Sequence, residues 1–223
     1  MNFAASFLAL AATALLCFAK ADEPAPVLSH PVDIARPPAA FVTVNKSLRE
    51  AECLRADFSE EKKIKVLKKP LLSAGALVFS GESGLYRALK QPFVQELLVT
   101  PQGIVQRDST GRIETVEVDR QPLAKGFIDA FLLVFSGEDK ALAEQFEIFF
   151  DGDAQAWSMG FVPRKKPLSK FIASLVVHGK KNVIETLVVV EVNGDRTTTK
   201  FERVVTDKPL TADEKERFFG WRQ

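Results

Sequence analysis

Histidine and cysteine are scarce in this chain, two of each among 223 residues, and neither cysteine belongs to a Cys-x-x-Cys pair. The three- or four-ligand nitrogen and sulfur sites that hold zinc are therefore excluded. An excess of one charge is also missing. Thirty Lys and Arg face 29 Asp and Glu for a net charge of +1, which removes the electrostatic attraction behind non-specific nucleic-acid binding. Nucleic acid is not an expected partner. Tyrosine occurs once against 18 phenylalanines, a skew towards purely apolar surface rather than polar recognition. The chain has no Gly-x-Ser-x-Gly, phosphate-cradling loop, dinucleotide fingerprint or His-Glu-x-x-His. His178 ends an apolar run beside Gly179 and reads as structural, and Asp151-Gly-Asp153 lacks the rest of a calcium-ligand series and reads as a hairpin turn. The sequence thus predicts no enzyme, no cofactor and no metal. What it does have is 46% hydrophobic and 26% charged side chains, the balance of a folded domain.

Residues Phe3 to Phe18 are apolar apart from Ser6 and Thr13, and Ala19-Lys20-Ala21 follows with small residues at the two positions a signal peptidase reads. The pattern predicts a signal peptide over 1–21, cleaved after Ala21, and hence a periplasmic protein. Leu16 before Cys17 argues against lipidation. No later stretch reaches the roughly 18 apolar residues of a membrane span. Residues 22–40 carry Pro24, Pro26, Pro31, Pro37 and Pro38 and read as an extended leader. The remainder, 41–223, is expected to be a single domain.

Phe41 to Cys53 suits a short amphipathic helix with Asn45 or Ser47 as caps, although Phe41-Val-Thr-Val is equally strand-like. From Leu54 the period shifts towards two, with strands predicted at 54–67, 71–80, 84–90, 93–100, 103–107 and 112–118, separated by Pro- and Gly-containing turns. Pro122 can open a helix running from Leu123 to Phe135, apolar except at Lys125, Gly126 and Asp129. Asp139 to Gln145 suits a second short helix. Strands then resume at 146–151, 155–163, 171–178, 183–192 and 196–205, with Asn193-Gly194 as the strongest hairpin signal. Thr211 and Glu214 form a capping-box pattern for a helix to Phe219. About eleven short strands with turn signals at this spacing predict an antiparallel meander of α+β class.

Three segments carry a family resemblance. The first is Phe58-Ser-Glu60 followed by Pro70-Leu-Leu-Ser73-Ala-Gly75 and an apolar strand; the second is Gly84-Leu85-Tyr-Arg87, ending in Pro92; the third pairs Trp157-x-Met159-x-Phe161-x-Pro163 with Asn193-Gly194-Asp195-x-Thr197. In this order and spacing the chain resembles the LolA family, the periplasmic carriers of outer-membrane lipoproteins. It departs from the family pattern at Glu60, where Gln is usual, at Arg87, where an inward Trp is usual, and at Gly81, where the lipoprotein carriers place an arginine.

The resemblance implies an unclosed antiparallel β half-barrel whose concave apolar face, under a helical lid, holds acyl chains of lipid or acylated protein cargo. The partners implied are an inner-membrane donor and an outer-membrane acceptor, with the carrier itself a monomer. An alternative is a periplasmic sensor or scaffold of the same fold that binds a membrane protein and carries no lipid. Phe127, Phe131 and Phe135 recur at i, i+4 and i+8, as a lid or equally as a core helix. Alternation puts Leu85, Arg87 and Leu89 on one strand face and Trp157, Met159 and Phe161 on another. These nine residues form the expected cavity and lid. The set Ile184, Thr186, Val188, Val190 and Val192 is expected to point to the apolar side. For Arg87 either a bulge or altered register turns the side chain to solvent, or it faces inward and a buried carboxylate, the cavity mouth or a cargo anion takes the charge; of the inward arrangements, meeting a head group at the mouth is the expectation. The run from Lys62 to Lys69 either protects a sheet edge or meets an anionic membrane or acidic partner.

Overall fold

The computed structural model describes residues 25–51, 53–100, 103–117, 139–206 and 208–221. The signal-peptide expectation and the helix with Phe127, Phe131 and Phe135 lie outside them. Eleven strands form one antiparallel sheet in the order β6-β5-β4-β3-β2-β1-β11-β10-β9-β8-β7. They are β1 Cys53–Lys63, β2 Leu71–Ser80, β3 Gly84–Gln91, β4 Gln95–Thr100, β5 Gly103–Asp108, β6 Ile113–Glu117, β7 Phe146–Gly152, β8 Trp157–Pro163, β9 Ile172–Lys180, β10 Val183–Glu191 and β11 Arg196–Val205. One meander runs outward from β1 to β6, and a second runs inward from β7 to β11. They meet where β1 pairs with β11, Lys63 opposite Arg196. The outermost strands β6 and β7 do not pair, so the sheet is the unclosed half-barrel that the resemblance implied.

Among the described residues three α-helices accompany the sheet: α1 Ala39–Glu50, α2 Asp139–Gln145 and α3 Ala212–Phe219. Helix α1 starts right after Pro38, which cannot continue a helix backwards but suits its first turn. Asn45 and Ser47, suggested as caps, lie inside it. The buried side of α1, Phe41, Val44 and Leu48, joins the inner face of the sheet, where the Phe41 and Phe150 rings meet edge-on with centroids 5.7 Å apart. On the outer face, the 3₁₀ turn Pro26–Ser29 sets Val27 and Leu28 against Phe149, Val176 and Val188. The next residues add to the β7 edge through a Pro31–Phe149 bridge. Helix α3 covers the outer face of the first meander, packing Phe218, Phe219 and Trp221 against Cys53, Val78, Tyr86 and Leu98. Its capping box is complete, and Arg55 forks onto Glu214 at 2.8 and 3.1 Å. The two ends of the fold are therefore crossed: the N-terminal segments cover the second meander and the C-terminal helix covers the first.

One expected parity is corrected. Register shifts between Ile184 and Thr186, a β-bulge that turns the rest of β10 over. Ile184 stays on the inner face with Leu187 and Val189, whereas Val188 and Val190 pack on the outer face against Val27 and Phe149. Val192 lies beyond the strand, exposed.

Candidate functional site

The inner face is apolar across both meanders. Leu54, Ala56 and Phe58 of β1, Leu77 and Phe79 of β2, and Leu97 and Val99 of β4 form one buried cluster with Phe146, Ile148 and Phe150 of β7 and with Leu175 and Val177 of β9. The expected positions fall in it. Leu85 and Leu89 of β3 and Trp157, Met159 and Phe161 of β8 are all buried there, so both alternation patterns were read in the right phase. The Trp157 indole donates to the Lys181 carbonyl at 2.9 Å, which satisfies its one polar atom.

Arg87 also faces inward, cross-strand between Leu77 and Leu97. Of the arrangements considered for it, pairing with a carboxylate is the one the structure shows. Its Nη2 donates to Glu60 Oε1 at 3.2 Å, and its guanidinium lies over the Phe58 ring, 4.3 Å from the centroid. Both partners are about a quarter exposed, 25% and 24%. Burial pushes the Arg87 pKa below its ordinary value, and the Glu60 charge opposes that shift. Glu60 holds the centre of a small network, accepting from Ser73 Oγ at 3.1 Å and from Thr199 Oγ1 at 3.0 Å. Gly75 makes room for it. A Cβ there would overlap the Ala88 carbonyl oxygen and press on the Phe58 ring at 2.8 Å, so the ring that carries Arg87 can lie flat only over a glycine.

Beyond Glu60 along β1 comes Lys62, which pairs with Glu191 of β10 at 2.7 Å. The inner face thus grades from apolar to polar towards the end of the barrel at which β1 terminates. At the opposite end a cleft of about 390 Å³ opens between α1 and the sheet. It is lined largely by polar groups, among them Thr43, Ser47, Gln155 and Asn182. A void of about 10 Å³ lined by Leu48, Leu54, Phe79 and Ile184 lies against it, sharing Ala51, Asn182 and Thr206 in its lining.

The description "Outer membrane lipoprotein carrier protein LolA-like" belongs to the family whose model matches residues 37–215. The chain belongs to the LolA-like family. No curated protein matches it in sequence. Among solved structures it is similar to a chain of the Pseudomonas aeruginosa MucA/MucB complex, with 12% identity and a TM-score of 0.47 over 79% of this chain and 60% of that one. It therefore spans about 60% of that relative's length. A lipoprotein-sorting protein domain from Vibrio parahaemolyticus shares 10% identity at a TM-score of 0.43, over 79% of this chain and 95% of that one. For the LolA superfamily protein NE2245 of Nitrosomonas europaea the values are 7% and 0.38, over 77% and 96%.

Glu60 and Arg87, the two positions noted above as departing from the resemblance, are the two ends of one ion pair. Sequence reasoning missed that pairing, and it gave no role to α1, although Phe41, Val44 and Leu48 stand at helical i, i+3 and i+7 spacing. The outer-face network was missed as well. There Tyr86 donates to Glu96 at 2.5 Å, Arg107 reaches the same carboxylate, and Arg107 lies over Trp221 at 4.6 Å.

Proposed function

We propose that this LolA-like protein is an exported, periplasmic, non-enzymatic carrier of lipids or acylated cargo. The observation that carries the reading is the inner face itself, a continuous apolar surface spanning both meanders, interrupted near one end by the Arg87–Glu60 network. Burying about ten methylenes against such a face gains on the order of 8 kcal/mol before the cost of opening it. Helix α1 rests on that face through Phe41, Val44 and Leu48. In this reading cargo replaces the contacts of α1 and the helix moves outward, while the expected lid residues Phe127, Phe131 and Phe135 and the sheet residues Leu85, Leu89, Trp157, Met159 and Phe161 contact the acyl chain. Arg87, already neutralised by Glu60, bounds the apolar zone and leaves the cargo's charge to the polar end.

Native mass spectrometry of protein exported to the periplasm tests this. The carrier should have lost residues 1–21 and carry one stoichiometric acyl species, which a fluorescent fatty acid displaces. Protein that is empty, indifferent to the probe and co-purified with a membrane protein would replace the carrier with the sensor or scaffold reading.

A further inference from the structure

The turns between β1 and β2, β3 and β4, β5 and β6, β8 and β9, and β10 and β11 all lie at one end of the half-barrel, as the antiparallel register requires. Here several large apolar side chains are turned outward. Val66 and Leu72 of the β1–β2 hairpin are 72% and 65% exposed, Phe93 after β3 57%, and Val192 before β11 56%. Between them stand lysines. The β1–β2 turn adds Lys65, Lys68 and Lys69, and the β8–β9 connection adds Lys165, Lys166 and Lys170. Several acids at this end are engaged: Glu191 with Lys62, Glu61 with Lys63, and Asp195, itself buried, with the backbone N–H of Lys65 at 3.0 Å. In a chain of net charge +1 this is a concentrated basic rim.

The lysines do not guard a sheet edge, since β1 is a central strand paired on both sides. The rim is also held in shape. Ile64 is buried beneath the β1–β2 turn, and the Lys65 side chain fills the space a Cβ would take at Gly194, fastening the β1–β2 hairpin to the β10–β11 turn.

We infer that this rim docks on an anionic lipid surface, with Val66, Leu72, Phe93 and Val192 entering the interfacial layer while the surrounding lysines meet lipid phosphates. Cations interleaved with single protruding apolar tips match a surface that is anionic at the head groups and apolar just below them. A purely acidic polypeptide would satisfy the lysines and leave the apolar tips in water. The inference concerns the outside of the rim and does not rest on what the inner face carries.

Flotation of the protein purified after export, with vesicles of phosphatidylcholine alone or of phosphatidylcholine with about a third phosphatidylglycerol, tests it. The protein should float with the anionic vesicles at low salt and release as salt rises. Each lysine near the surface is worth about fivefold, so Lys68→Gln/Lys69→Gln should weaken binding about 25-fold. Val66→Ser/Leu72→Ser should weaken it at least about tenfold. Lys46→Gln/Lys215→Gln, away from the rim, should bind like the parent, and circular dichroism reports that each variant is folded. Absence of flotation with anionic vesicles at low salt overturns the inference, as does equal binding to neutral vesicles. So does binding to polyglutamate with the salt dependence of the vesicles and no effect of Val66→Ser/Leu72→Ser, which would mark an acidic protein as the occupant.

Discussion

Removing one end of the Arg87–Glu60 pair should cost more than removing both. In Glu60→Gln the guanidinium keeps its charge, since an arginine does not deprotonate in a protein, yet its carboxylate is gone and only a neutral amide oxygen and the Phe58 ring can face it. Stranding a fully buried charge costs about 3–5 kcal/mol. With a side chain 25% exposed, solvent screening reduces that to about 2 kcal/mol. Arg87→Met is milder. Glu60 retains the Ser73 and Thr199 hydroxyls, the methionine packs between Leu77 and Leu97, and the loss is chiefly the cation–π contact, for a net of about 1 kcal/mol. The double variant strands nothing and should fall within about 1 kcal/mol of the parent, giving a coupling of about 2 kcal/mol. Glu60→Gln/Arg87→Trp, which likewise removes both charges, should behave like that double variant. Urea unfolding followed by circular dichroism measures all four. If the two single costs simply add, to within about 0.5 kcal/mol, the pair is not the coupled unit described here.

Gly75→Ala should destabilise by about 3 kcal/mol, because the Cβ meets backbone at Ala88 as well as the Phe58 ring; an unfolding midpoint close to the parent's would show that the strands can part there at little cost. Glu214 is held down to about 2 from an ordinary 4.5, first by Arg55 and then by the Thr211 backbone N–H. A depressed folded-state pKa means that its stabilisation is complete above about 4.5 and fades as pH falls towards 2. Discounted for exposure, the loss is about 1 kcal/mol, and Trp221 fluorescence, with Trp221→Phe as blank, should report loosening of α3 in that window and none between pH 5 and 8, about where the group stays ionised. Burial pushes the Cys53 thiol up and keeps it protonated, so a thiol reagent should label it only as fast as the protein opens; rapid stoichiometric labelling of folded protein at neutral pH would contradict its placement under α3.

Most of the fold was legible because turn residues punctuate it. Pro92, the Asn193-Gly194 turn and the capping box at Thr211 fall where strands and α3 end or begin. Alternation then placed Leu85, Leu89, Trp157, Met159 and Phe161 on the inner face, since β3 and β8 run through those positions without a bulge. The same rule failed in β10. One extra residue after Ile184 reverses every later side chain of the strand, and no local signal in Ile184-Glu185-Thr186 announces it. Arg87's inward phase was legible, but its partner was not, because Glu60 lies on β1 and reaches it across β2, a relation fixed by register. The outer face was illegible for a similar reason. Tyr86, Val78 and Leu98 look like alternates that face water until α3 returns from the far end of the chain to cover them.

The crossed ends make the two meanders dependent on each other. Each meander consists of hairpins between neighbours in sequence and can close early, whereas the seam joining Lys63 to Arg196 must bring together residues far apart along the chain. Until it closes, β1 and β11 are open edges. Neither half is finished by its own residues, because Val27 and Phe41 complete the second while Phe219 and Trp221 complete the first. Unfolding should accordingly be one transition with no half surviving alone, and shortening either terminus should loosen the meander at the other end of the sequence first.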